Sequence, residues 1–156
     1  MIAARAIRRL AAAVAAGTLL LALTWAGAPP ATARTQALSL RVSVTLAPGS
    51  GSTLLYRGSF AGTPLGRGKV TLRGRLSGAG GATVTYRMST SRGTFEGSGR
   101  VTLSYRGSTV SYGGRATITS GTGAYRNLRS DDLRIAGTAG LTAERVTLTL
   151  SGQISS

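Results

Sequence analysis

The residues able to do acid–base, nucleophilic or metal chemistry are few in this sequence of 156 residues. It has no histidine and no cysteine, which removes the Ser-His-Asp and Cys-His nucleophilic arrangements and the common zinc sites. The acids are Glu96, Asp131, Asp132 and Glu144. A paired-carboxylate glycosidase needs two acids flanking one bond, about 5–9 Å apart. Asp131 and Asp132 are neighbours, so on a strand they point to opposite faces. Glu144 starts the following strand and is expected at the other end from Asp131. The candidate catalytic residue is therefore Asp131, which shares the parity of Leu133. That parity would turn it inward at a barrel mouth, where it would serve as a lone general acid or base beside tyrosines. The competing role for such an acid is to end a turn, accept backbone N–H bonds and pair with an arginine. No acidic loop supplies the six or more oxygens that calcium takes, so neither a metal nor a cofactor is expected.

The elements that position these groups are strands. Apolar and polar residues alternate with a period of two, and no stretch shows apolar residues at helical spacing. The first run is Leu38, Leu40, Val42, Val44 and Leu46, ended by Pro48-Gly49-Ser50-Gly51. Further runs cover Thr53 to Phe60, Val70 to Leu76, Ala82 to Met88, Phe95 to Tyr105 and Val110 to Ile118. The last two hold Leu133 with Ile135, and Val146 to Ile154. Eight short strands joined by turns predict an all-β fold, a single antiparallel eight-stranded β-barrel. An open sandwich fits the same pattern, but closure removes both sheet edges and favours the barrel. Parity places Tyr86, Tyr105 and Tyr112 inside with Phe95 and Met88. In a barrel of this size they either fill the interior or leave room for one small ligand, which makes the three tyrosines the candidate ligand-binding residues.

The first 33 residues read differently. Arg5, Arg8 and Arg9 precede an apolar run from Leu10 to about Ala26, and Pro29-Pro30 leads to Ala31-Thr32-Ala33. That order is a secretory signal peptide, with cleavage expected after Ala33. Residues 34–156 are then one domain without a membrane-spanning helix. Losing three arginines leaves sixteen basic residues against four acids, a net charge of +12. The strand arginines share the parity of the Ser/Thr face, so the charge decorates the exterior. Attraction to an anionic cell-envelope polymer is one consequence, and solubility is the other. Aromatic residues fall on the apolar parity, so the stacking platform of a single-strand nucleic-acid binder is not expected.

The stretch Ala116-Thr117-Ile118-Thr119-Ser120-Gly121-Thr122-Gly123-Ala124-Tyr125 resembles the strand-to-turn segment of the allene oxide cyclase and dirigent group of eight-stranded barrels. It also resembles small secreted actinobacterial proteins that carry the same turn. The resemblance implies a barrel closed by this turn with Tyr125 packed over its end, and it hints at a homo-oligomer. Ser120 stands where a first glycine is common, and no catalytic residue of those families maps onto a position here. Two functions follow as expectations: a non-enzymatic secreted protein binding a small apolar ligand or anionic polymer, or a dirigent- or cyclase-like enzyme using Asp131 and a tyrosine in an apolar lumen.

Overall fold

The computed structural model describes residues 33–48, 52–78 and 80–156; the expected signal segment, up to Thr32, lies outside the described residues. The compact unit Ala33–Ser156 contains β1 (Thr35–Ala47), β2 (Thr53–Thr63), β3 (Gly66–Ser77), β4 (Gly81–Thr90), β5 (Gly93–Arg106), β6 (Thr109–Gly121), β7 (Ser130–Gly140) and β8 (Arg145–Ser155). Each strand pairs antiparallel with its sequence neighbour, and β8 returns to β1 to close the barrel. The period-two alternation forces this arrangement. Leu38, Leu40, Val42 and Val44 are buried on one side of β1 while Arg41 on the other side is exposed. The outer wall is thus polar and the lumen apolar, the reverse of a membrane-spanning barrel, whose outside must be an apolar band.

The strands are strongly staggered, as closure of eight strands requires. Following register partners from Leu46 leads through Tyr56, Leu72, Tyr86, Gly97 and Ile118 to Ser130. That walk begins at one end of the barrel and finishes at the other. The end where β1, β3, β5 and β7 finish is called the mouth here, and the opposite end the base.

The base is plugged. Phe95 is fully buried and meets Phe60 and Tyr125 edge-on, with ring centroids 6.0 and 5.4 Å apart. Tyr125 comes from the turn between β6 and β7, where Gly123–Tyr125 forms one turn of 3-10 helix. Gly123 enters it at φ +59°, a left-handed conformation that glycine adopts without penalty. The Tyr125 hydroxyl lies 2.9 Å from Thr90 Oγ1 and donates toward the Leu65 carbonyl at 3.4 Å. Leu65 and Leu128, both from connections, are buried with it. The expected barrel-closing role of this turn and of Tyr125 is what the fold displays.

Two bulges interrupt the alternation. Glu96 pairs with Ser120 and Gly97 with Ile118, leaving Thr119 extra on β6. Ala116 pairs with Leu133 and Ile118 with Ser130, so Asp131 and Asp132 together oppose Thr117. The second bulge corrects the expectation for Asp131. One extra residue inverts the parity on its far side. Ser130 therefore takes the inward position, buried and donating its hydroxyl to the Gln153 carbonyl at 2.6 Å, while Asp131 and Asp132 are both exposed.

Candidate functional site

The mouth half of the lumen is not filled. Val44, Val84, Val101, Ile135 and Val146 form its buried floor, and Leu54, Tyr56, Leu72, Leu76, Ala82, Leu103, Tyr112 and Leu148 rise around it. Gly74 completes the lining and leaves an indentation. A methyl group built there would touch only the Val84 side chain, at 3.9 Å. The free volume is about 100 Å³, open toward the hairpins of this end. The difference between the two halves lies in side-chain size: Phe60, Phe95, Met88 and Tyr125 fill the base, whereas valines, alanine and glycine leave space above.

Of the three tyrosines expected to bind ligand, only Tyr112 lines this space. Tyr105 shares its parity but stands above the last ring of the lumen, 62 % exposed. Tyr86 lies deeper. Its ring is buried and its hydroxyl donates to the Thr117 carbonyl at 2.7 Å, so it reaches over Gly97 of β5 and pins β4 to β6. Burial of the phenol pushes its pKa well above the ordinary tyrosine value, which keeps it a hydrogen-bond donor.

Tyr56 was not singled out from the sequence, yet it lines the pocket. Its parity with Phe60 was the available signal, and the pairing of Tyr56 with Leu46 makes it inward. Partial burial raises the pKa values of both Tyr56 and Tyr112, and the neighbouring Tyr56 and Tyr105 raise that of Tyr112 further. Two phenols held in their neutral form, those of Tyr56 and Tyr112, therefore face the recess. The lining offers apolar contact with a few hydroxyls to fix orientation, the usual composition of a small-molecule site. It contains no carboxylate. Asp131 lies on the exposed bulge near the base, and Glu144 sits in the β7–β8 connection at the mouth end. The sequence therefore separated these two acids correctly, but Asp131 and the pocket tyrosines are not brought together.

A second arrangement lies on the outer wall. Arg75 pairs with Thr83, Thr83 with Arg100, Arg100 with Arg115, and Arg115 with Arg134. Arg100, Arg115 and Arg134 are thus direct cross-strand neighbours at roughly 5 Å steps. Directly opposed like charges are destabilising. One acid relieves them: Arg115 donates to Asp132 at 2.8 Å. A shallow groove beside the row is lined by Arg115, Arg134 and Asp132 with Thr102, Ser151 and three glycines. Among the described residues the other ion pair, Arg87 with Glu96 at 3.1 Å, is solvent-exposed and of the kind that contributes little. No group of acids among the described residues is arranged to hold a metal ion. No protein-family model, no curated protein and no solved structure matches the chain.

Proposed function

We propose that this chain is a secreted barrel of the allene oxide cyclase and dirigent kind, released after Ala33, that holds a small apolar molecule in its mouth without transforming it. The observation that carries the reading is the half-filled lumen: an apolar recess of about 100 Å³ above a tightly packed base. The Ser120–Tyr125 turn supports the kinship, because it closes the base through Tyr125 as the resemblance implies. The cyclase-like alternative needs an acid facing into the lumen. Asp131 is exposed, which supports the binding reading over that alternative.

Filling the recess tests the ligand reading. Gly74→Leu turns a larger side chain into the recess at a position where the new Cβ itself would meet only Val84, at 3.9 Å. Stability should hold or rise by up to about 1 kcal/mol, because a side chain replaces glycine in a strand interior. Binding of a neutral naphthylamine fluorophore should fall at least about tenfold as its space is taken. Unchanged fluorophore binding would place the ligand elsewhere. The cleavage proposal is read by intact mass: protein recovered from the medium should begin at Arg34, and retention of Met1 would count against it.

The arginine row favours a second reading, adhesion to an anionic envelope polymer through regularly spaced guanidinium groups, which pair well with phosphate. Changing Arg100 and Arg134 together to Gln separates this from general solubility. Relief of cross-strand repulsion should raise stability by a few tenths of a kcal/mol. The slope of polyphosphate affinity against salt should fall by about two contacts. An equal effect from Arg41→Gln with Arg67→Gln, on the opposite wall, would reduce the row to diffuse charge.

A further inference from the structure

Among the described residues four large hydrophobic side chains are exposed: Leu46 at 49 %, Leu76 at 60 %, Tyr105 at 62 % and Leu141 at 54 %. All four are at the mouth end, and each belongs to a different hairpin. Leu46 closes β1, Leu76 lies at the end of β3, Tyr105 at the end of β5, and Leu141 follows β7. The base treats its connections in the opposite way, burying Leu65, Tyr125 and Leu128. Leu46, Leu76 and Tyr105 share the inward parity of their strands but keep about half or more of their surface exposed, Leu76 at the upper edge of the recess. They form an apolar crown around the recess, the kind of exposed apolar surface that marks a contact site.

The charges beside the crown decide what meets it. Arg75 precedes Leu76, Arg106 follows Tyr105, and Arg145 opens β8 next to the hairpin of Leu141. Arg57 faces Arg145 across Thr45, directly below Leu46. All four arginines are exposed, and Glu144 is the acid at this end. A second copy placed mouth to mouth would press two basic rings together. A surface with negative headgroups over an apolar interior complements both the exposed apolar side chains and the arginines beside them.

We infer that the mouth end docks on an anionic lipid bilayer, with Leu46, Leu76, Tyr105 and Leu141 entering the boundary between headgroups and acyl chains and the arginines meeting lipid phosphates. The depth is shallow, because the wall below the crown carries arginine, serine and threonine, which hydrocarbon rejects. The recess opens within the crown, so docking sets it facing the acyl region. The surface does not depend on a ligand being held, and its test uses none.

The protein as expressed from its full chain is sedimented with vesicles of phosphatidylcholine alone or mixed with phosphatidylglycerol. Binding is expected on the mixed vesicles and should weaken as salt is raised. Leu76→Ser with Leu141→Ser, and separately Arg75→Gln with Arg106→Gln, should each lower the affinity at least about tenfold, each arginine contributing strongly near an anionic surface. Both pairs are exposed, and retained circular dichroism and melting confirm that the variants fold. Arg41→Gln with Arg67→Gln, the same charge change far from the crown, should alter binding by less than about twofold. Any of four results would overturn the inference: no binding to mixed vesicles, binding indifferent to both mouth variants, equal loss in the control, or a dimer in sedimentation analysis that the leucine variant dissolves.

Discussion

Phe95→Ala is expected to destabilise the barrel by about 4 kcal/mol, the middle of the range for emptying a buried aromatic position. Phe95 has no exposed surface, and its ring is the hinge of an edge-to-face series running from Phe60 to Tyr125. Removing it takes away the transfer energy of the ring and two aromatic contacts, and leaves a cavity under Tyr125. The loss reaches further than one side chain because Tyr125 plugs the base and is held from only one turn. With its seat gone, the hydroxyl contacts to Thr90 and Leu65 lose their geometry as well. Set against a total of about 5–15 kcal/mol for a domain, the variant should be marginal at 37 °C. Urea unfolding followed by far-UV circular dichroism gives the number. A cost below about 1.5 kcal/mol would mean that the base collapses readily around the gap.

The second large effect comes from adding atoms. Gly97 sits beside the β5–β6 bulge, directly under the Tyr86 phenol. A methyl group there would collide with the Thr117 carbonyl oxygen and lie 2.5 Å from the Tyr86 hydroxyl oxygen and 2.6 Å from Cζ. The carbonyl is backbone in the neighbouring strand, and the phenol is held by its bond to that same carbonyl. Neither yields alone. Gly97→Ala should therefore cost about 3 kcal/mol, the upper part of the overpacking range. Gly113→Ala is the matched control, because no atom lies within 4 Å of a Cβ built there. It should change stability by less than about 0.5 kcal/mol or raise it slightly, since alanine restricts the unfolded chain. Similar costs at both positions would show that glycine is needed for the backbone and not for the space.

These two positions indicate what could be read from the sequence. Strand alternation told correctly which side of the sheet Leu40, Val42, Tyr86, Phe95 and Ile118 face, because a half-buried strand must separate its faces. It told nothing about height along the barrel axis. Tyr105 and Tyr112 have inward positions on paired strands, yet one is above the lumen and the other within it, because stagger sets height and stagger is a property of closure. The alternation also misled at Asp131. A bulge is a one-residue event with no composition of its own, and the adjacent acids gave no warning that both would lie outside. The recess itself was legible only as an open question. Whether valine and glycine leave space depends on which rings of the lumen they share, and that depends on register.

One consequence of the seam between β1 and β8 concerns the chain as a whole. Arg34 and Ser156 exchange two backbone hydrogen bonds, each 3.2 Å long, at the base. The polypeptide from Arg34 to Ser156 is thus nearly a circle, cut at one point on the pole opposite the mouth. The cut is incidental to the sheet: joining those residues and reopening the chain at the exposed Gly107–Ser108 turn would preserve every strand neighbour. A domain fused after Ser156 would leave from the plugged pole, with the length of the barrel between it and the mouth.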